Sequence, residues 1–575
     1  MNRCIFPRFL SASVALFSAV SGCYSTGDGL SPPEKSLYFP VGLAVSRGGN
    51  VLYAVNSDFD LQYNGGTIQS YDLHLIRKHA VLAIANPADP ALPTVRPAAP
   101  AGSCPSNPPA LMTDGSGDRQ PLGETCAPPV NSDVYVRDSA IIGAFATTVQ
   151  LSHDGTRLFV PTRGDTSLFW ADVKPDDDPN VAPDENANAD SYPSFKLACG
   201  ERSGERCAKT HYAGSDPNAP GNVRNLSMPG EPFAMAQSSD GSVVVVTHQA
   251  SNQVSLFSSG LSSSAPVDPS LKYILAGVPV GGTALAAIPY GDTMSRCSGA
   301  ASASCDANTS RVAFLETSRS VALMSRLRYY DTDGDFTKPI PPAAAATARP
   351  LLVLEASYGI AVNVSGADSR DIAIDPTPRL ACEKRLSRDP AATSEQKEAC
   401  SRLPARLFVA NRSPASLLVG ELGGRVVAGT GEYDPDAISW HASIPLANGP
   451  SRLYLAPIVD GAGNYALRLF IVCFDAATIF VYDPKANALE SIVRVAPGPF
   501  ALAFDPFDLT DVAMGEAVPA HEPAIDGLKK YRFAYVASFT NSYAQLLDLD
   551  SSRPDKSTFM KVVYTLGKPT PPKGS

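Results

Sequence analysis

One pattern recurs along the 575 residues: a Pro or Gly, a short apolar run, a turn of Asp and Gly type, a second apolar run, a polar turn and a third run. The first copy reads Pro40-Val41-Gly42-Leu43-Ala44-Val45, turns at Gly48-Gly49-Asn50, and continues Val51-Leu52-Tyr53-Ala54-Val55-Asn56 and then 67–73. A second places runs at 146–151, 157–161 and 167–173 around the turn His153-Asp154-Gly155, and a third at 232–236, 243–247 and 253–257 around Ser239-Asp240-Gly241. Further copies lie at 283–288, 311–315 and 320–324; at 371–374, 406–411 and 416–422; at 451–455, 469–474 and 478–483; and at 500–504, 533–537 and 544–549. Short alternating or continuous apolar runs bounded by Gly, Pro, Asp and Asn are strand signals, and helical spacing is scarce.

The tightest spacings between copies are about 50 residues, near the period of a four-stranded propeller blade. The fold class expected is therefore all-β: a β-propeller of seven four-stranded blades with long disulfide-braced loop insertions. The copy at 283 is degenerate, so six or eight blades, or two sandwich domains, are the competing arrangements. Ring closure is expected from 560–566 pairing beside the chain start at 37–40. The motifs Leu52-Tyr53-Ala54-Val55-Asn56-Ser57, Leu407-Phe408-Val409-Ala410-Asn411-Arg412 and Ala534-Tyr535-Val536-Ala537-Ser538-Phe539 resemble the YVTN-type β-propeller repeat. That resemblance implies a ring with a central channel and no single activity, because the fold hosts enzymes and binding modules alike.

The first residues read as a secretory signal: Arg3 and Arg8, then an apolar stretch at 9–20 too short to span a bilayer. It ends Val20-Ser21-Gly22-Cys23, which resembles a bacterial lipobox, with Val20 in place of the more usual leucine. The resemblance implies that 1–22 is removed and that Cys23 carries a lipid. Tyr24 after it fits outer-membrane sorting by the same resemblance. The expected organisation is then a tether at 23–36, a propeller at 37–568 with insertions near 80–140, 174–228, 289–310 and 376–405, and a disordered tail at 569–575.

Eight cysteines fall into local pairs in polar, Pro/Gly/Ser-rich segments: Cys104 with Cys126, Cys199 with Cys207, Cys297 with Cys305, and Cys382 with Cys400. Short closed loops of this kind suit disulfides in an oxidising compartment, although eight cysteines allow 105 connectivities. Zinc would need clustered ligands such as C-x-x-C, and the sequence has none. Cys473, inside Leu469-Phe470-Ile471-Val472-Cys473-Phe474, reads as a buried strand thiol.

The formal charge of −10 argues against a nucleic-acid partner. The histidines (74, 79, 153, 211, 248, 441 and 521) form no H-E-x-x-H pair, and no C-x-x-C-H, G-x-S-x-G or Walker A motif occurs. Gly461-Ala462-Gly463-Asn464-Tyr465-Ala466 matches G-x-G-x-x-A but reads as an inter-strand loop. Asp331, Asp333 and Asp335 alternate around Gly334 as in a short calcium loop, though without the downstream glutamate; a solvated loop is the competing reading. Asp176-Asp177-Asp178, with Asp184, Glu185 and Asp190, reads as a flexible acidic loop.

Propeller lactonases place carboxylates, Asn or His where the innermost strands open on the channel. The corresponding positions here are Val41-Gly42, Phe233-Ala234, Arg370-Asp371, Ser451-Arg452 and Phe500-Ala501, mostly apolar or small with arginine exceptions. Such a mouth suits a ligand or protein contact better than a metal hydrolase. The functional expectation is a lipid-anchored cell-envelope module that binds or scaffolds a protein or small ligand. It needs no cofactor, metal or catalytic residue; the alternative is a lactonase-type hydrolase with a channel metal.

Overall fold

The computed structural model describes residues 29–85, 92–93, 112–113, 119–120, 129–176, 181–261, 266–289, 312–330, 349–360, 367–426, 433–434, 437–519, 532–552 and 558–567. Seven antiparallel sheets, each with four consecutive main strands, follow one another around a ring. Their inner strands are Pro40–Val45, Gln150–Leu151, Pro232–Gln237, Gly282–Ala287, Ala367–Asp375, Pro450–Val459 and Pro499–Phe504, and they define blades 1 to 7. The degenerate copy at 283 is a complete blade 4. The sequence pattern locates three strands per copy and does not pick out the outer fourth strands, such as Val136–Ile142 and Leu351–Gly359.

The apolar runs are continuous because the second strand of each blade is covered on both faces. In Val51–Asn56, Leu52 and Ala54 pack towards blade 7, whereas Val51, Tyr53 and Val55 pack towards blade 2. Leu469, Ile471 and Cys473 likewise face blade 5, while Phe470 and Val472 face blade 7. Each of the seven apolar clusters fills one blade-to-blade interface, so the core is a ring of wedges. Cys473 is buried and unpaired, and burial pushes its thiol up to about 12, which makes it an inert packing group.

Of the four expected disulfides, two fall among the described residues: Cys199 is bonded to Cys207 and Cys382 to Cys400. The other four cysteines of that set, Cys104, Cys126, Cys297 and Cys305, lie outside the described residues. Cys23, expected to carry the lipid, lies outside them as well.

Asn56 ends the second strand of blade 1, and Asn411 lies two residues from the end of that of blade 5. The Asn56 amide donates to Thr67 Oγ1 and Gln69 Oε1 at 2.8 and 3.0 Å, and its oxygen accepts from Tyr38 N at 3.0 Å. Asn411 Oδ1 accepts from Ser369 Oγ at 2.7 Å. An amide at this position ties the blade's entry to its interior strands.

Closure differs from expectation. Val562–Leu566 is the outer strand of blade 7, paired with Tyr543–Asp548 rather than with 37–40. The ring is clasped instead by Pro129–Val130, from the blade 1 insertion, which adds in parallel to Val562–Leu566. Helix α1 (Leu73–Ala85) reinforces this clasp, since its Arg77 Nη1 lies 3.1 Å from Asp505 Oδ1 of blade 7 with both side chains buried. Tyr135 and Tyr564 share a 2.8 Å hydrogen bond across the same seam.

Candidate functional site: a stoppered channel and two unlike faces

Each inner strand slips register by one residue at its start. The shift lies at Val41, Thr283, Arg370, Ser451 and Phe500, and within 233–234 in blade 3. Blade 2 repeats it, because Ala146 opposes Thr162 while Gln150 opposes Phe159. A bulge re-aims the side chains beside it. Here it acts at the channel mouth, on the positions singled out in the sequence.

Arg452 decides the character of that mouth. Its guanidinium carbon lies 5.5 Å from the Phe500 ring centroid in blade 7 and 5.6 Å from that of Phe233 in blade 3. Blades 3 and 6 are separated by two blades on one side and three on the other, so their inner strands meet only across the axis. The Arg452 side chain therefore spans the channel between two aromatic faces. Among the described residues, Arg452 Nη2 is buried with no hydrogen-bond partner.

Asp371 stands at the wall beside it. Its Oδ2 accepts from Leu453 N at 2.8 Å and its Oδ1 from Ile372 N at 3.0 Å, tying blade 5 to blade 6. Burial pushes this carboxyl above the usual range, and the Arg452 charge pulls against the shift. Arg370 turns to Asp368, with Nε and Oδ1 2.7 Å apart. Thr147 Oγ1 donates to Phe233 O at 2.7 Å and Thr283 Oγ1 to Ser369 O at 2.5 Å, so neighbouring strand entries are stitched together.

On the face where the inner strands begin, an arc of aromatic rings runs from blade 6 to blade 2. Phe474, Phe500 and Phe539 are linked at 5.9–6.3 Å; Phe539 lies 4.8 Å from Phe39 and 5.3 Å from Phe59; Phe59 lies 6.0 Å from Phe145. Arg163 covers Phe145 at 5.7 Å and pairs with Glu231. Nothing in the spacing of these phenylalanines announces the arc, because they come from separate segments of the chain.

Connections on this face are short, as at 163–166, 319–322 and 474–477, the longest being 214–231. The strands flanking the long insertions (73–135, 173–211, 288–312, 331–350, 376–404 and 505–532) end at the opposite face, and the 173–211 insertion runs from there along the outer edge of blade 1 to the short-loop face, where Arg206 Nη2 donates to Asn64 O at 2.6 Å. In the 376–404 insertion, helices α2 (Thr377–Ser387) and α3 (Ser394–Ser401) are joined by the Cys382–Cys400 disulfide, with Cα atoms 5.5 Å apart. Arg388 reaches Glu516 at 2.9 Å, just beyond helix α4 (Leu509–Met514) of blade 7, bridging over blade 6. In the 173–211 insertion, the Cα atoms of the Cys199–Cys207 disulfide are 5.2 Å apart. The closed loop covers the outer edge of blade 1, where Ile141 N donates to Glu205 O and Cys207 N to Ile141 O.

Asp176 corrects the reading of a flexible acidic loop. It is buried, its Oδ2 accepts from Ser46 Oγ at 2.5 Å and Asn50 N at 2.9 Å, and its Oδ1 accepts from Gly48 N at 2.7 Å. A Cβ at Gly48 would sit 1.9 Å from the Asp176 carbonyl, so the turn needs glycine to admit it. Asp177 and Asp178 lie outside the described residues, as do Asp331, Asp333 and Asp335. The Gly461 segment is an inter-strand turn in which Gly463 N donates to Asp460 O at 2.9 Å. His211 and His248 are structural: His211 stacks on Trp170 at 3.8 Å, and His248 bonds Gly230 O and Ser255 Oγ. Burial lowers His248 to about 4. Among the described residues, no three His, Cys, Asp or Glu side chains converge on a metal position, and no helix is long and apolar enough to cross a membrane.

No protein family model and no curated protein matches the chain. Solved structures with a similar course include Kuenenia stuttgartiensis hydrazine synthase, 10% identical, TM-score 0.41, over 91% of this chain and 99% of that one. The periplasmic gluconolactonase of Pseudomonas aeruginosa is 12% identical, TM-score 0.38, over 82% and 87%. Sqt1 of Saccharomyces cerevisiae is 8% identical, TM-score 0.39, over 94% and 89%. Likenesses this distant bring no activity, substrate or partner to this chain, and the seven-bladed ring is read from its own strand pairings.

Proposed function

We propose that this chain is a lipid-anchored cell-envelope propeller that binds or scaffolds an extracytoplasmic partner through the face carrying its insertions. The observation that carries this reading is the inequality of the two faces. The long connections leave the ring from one face, where described parts of them are pinned by a disulfide, by the Arg388–Glu516 pair and by Asp176. Pre-ordered loops on a rigid ring lose little entropy when a partner docks on them. The lipobox-like Val20-Ser21-Gly22-Cys23 supports the anchor, and the YVTN-like second strands of blades 1, 5 and 7 support kinship with that repeat.

The hydrolase reading is not favoured. A divalent cation in the channel would meet the Arg452 guanidinium held between Phe233 and Phe500, and like charges at that range repel strongly. The test is in-cell cross-linking of the tagged full-length protein, followed by mass spectrometry. A near-stoichiometric partner is expected, and it should disappear when 377–402 is replaced by a short Asp-Gly turn while the strand circular dichroism is retained. The same partner captured undiminished by the replaced form would overturn the insertion face as the contact.

A further inference from the structure

The short-loop face has a feature that partner binding on the other face does not use. Leu30 is 73% exposed, Phe59 53% and Leu61 47%, whereas every other exposed large apolar side chain among the described residues is a valine or Leu323. These three belong to one place. Asn64 N donates to Leu30 O at 2.9 Å, and Asn64 Nδ2 to Gly29 O at 3.3 Å, which fixes the N-terminal segment against the loop bearing Phe59 and Leu61.

That loop is built to hold its apolar tips outward. Leu61 N donates to Asp58 O at 3.2 Å, Tyr63 N to Asp58 Oδ1 at 3.2 Å, and Asp60 is bonded by the Tyr38 hydroxyl and by Gln62. Leu61 sits at φ 53°, a left-handed conformation that costs a leucine about 1 kcal/mol and that Gly or Asn adopts more readily. An exposed leucine in a strained position has no folded-state benefit in water. Phe59 rests edge-on against Phe39, Phe145 and Phe539, so the exposed tip is backed by a rigid aromatic floor.

The chain enters the described structure at Gly29, six residues after Cys23, a distance of at most about 20 Å when extended. We infer that Leu30, Phe59 and Leu61 form a membrane-contact patch that seats the short-loop face on a lipid bilayer and turns the opposite face away from it. The inference rests on the lipid-anchor reading of Cys23. A lipid on that residue brings this face to the interface, and the apolar tips then set the orientation that a flexible tether would leave free.

The test uses the mature chain as Cys23→Ser, floated with vesicles of phosphatidylethanolamine and phosphatidylglycerol. Flotation is expected to fall at least about tenfold in Phe59→Ser/Leu61→Ser and to be unchanged in Val267→Ser, which alters an equally exposed side chain on the insertion face. Equal flotation of Phe59→Ser/Leu61→Ser and its parent would overturn the contact patch. Separately, the mass of the N-terminal peptide of the wild-type protein extracted from membranes tests the anchor. A diacylglyceryl group on Cys23 supports it, and an unmodified Cys23 overturns it whatever the vesicles show.

Discussion

Glu316 is wholly buried on the second strand of blade 4, directly opposite Ser325 on the third. Burial pushes it up to about 7, opposed by the facing Ser325 hydroxyl. The folded state therefore holds this proton more tightly than the unfolded chain. Stability falls as pH rises from the unfolded glutamate value to about 7, and levels off above. Glu316→Gln should raise stability at pH 8 by about 3 kcal/mol and remove its share of that slope. The slope of Asp58, also raised by burial to about 7, should remain. Urea melts at pH 5, 6, 7 and 8 read both effects, and an unchanged slope would exclude Glu316 as its source. Arg452 offers a second residue-scale test. Arg452→Leu should cost about 1–3 kcal/mol, from two lost cation–π contacts and the loss of the charge opposing Asp371. The loss should grow as pH rises, because only an ionised Asp371 misses the guanidinium. The same denaturation series checks it.

Among the elements, strands and insertions answer to different forces. The strands are held on both faces by apolar wedges and by their ladders. Helices α2 and α3 are held by a disulfide and by a capping box at Thr393 and Gln396, and α2 packs on α4. Cys382→Ser/Cys400→Ser should therefore loosen the 376–404 insertion by up to about 3 kcal/mol while sparing the ring. Limited proteolysis should cut within 376–404 at least tenfold faster, with the main calorimetric transition displaced by no more than a few degrees. A large fall of that transition would show that the insertion and the ring unfold as one unit. At this scale the strands are legible in the sequence because their apolar runs are doubly buried. The outer strands are not, because Val136–Ile142 and Leu351–Gly359 are covered less and follow long insertions, at no fixed distance from the rest of their copy. Tyr212–Ala213 in blade 2 is too short for any periodicity to show.

At the scale of the whole molecule, a ring is only as stable as its seam. Blades 1 and 7 come from opposite ends of the chain, and the apolar wedge between them is supplemented by Pro129–Val130 and by Arg77–Asp505. Asp505 Oδ1 also accepts from Tyr535 Oη at 2.6 Å and its Oδ2 from Phe533 N at 3.0 Å, so the carboxylate is held in place when its cation is lost. Arg77→Ala should destabilise the molecule by about 1–3 kcal/mol by removing a charged hydrogen-bond partner of that buried carboxylate. Differential scanning calorimetry reads the loss, and a change below about 1 kcal/mol would show that the seam does not depend on the pair.

Strand order, blade number and the local pairing of Cys199 with Cys207 and Cys382 with Cys400 follow from information close together in the chain: apolar periodicity, turn residues and short separations. The candidate channel positions are also legible, since each opens an inner strand at a fixed place in its copy. Their chemistry is not. Arg452 becomes a stopper only because blades 3, 6 and 7 converge on one axis, and Asp176 becomes a turn clamp only because blade 2 lies against blade 1. The closing strand, the aromatic arc and the departure of the insertions from one face arise in the same way. Each depends on contacts between residues far apart in the chain, which local periodicity does not encode and which the closed ring alone brings together.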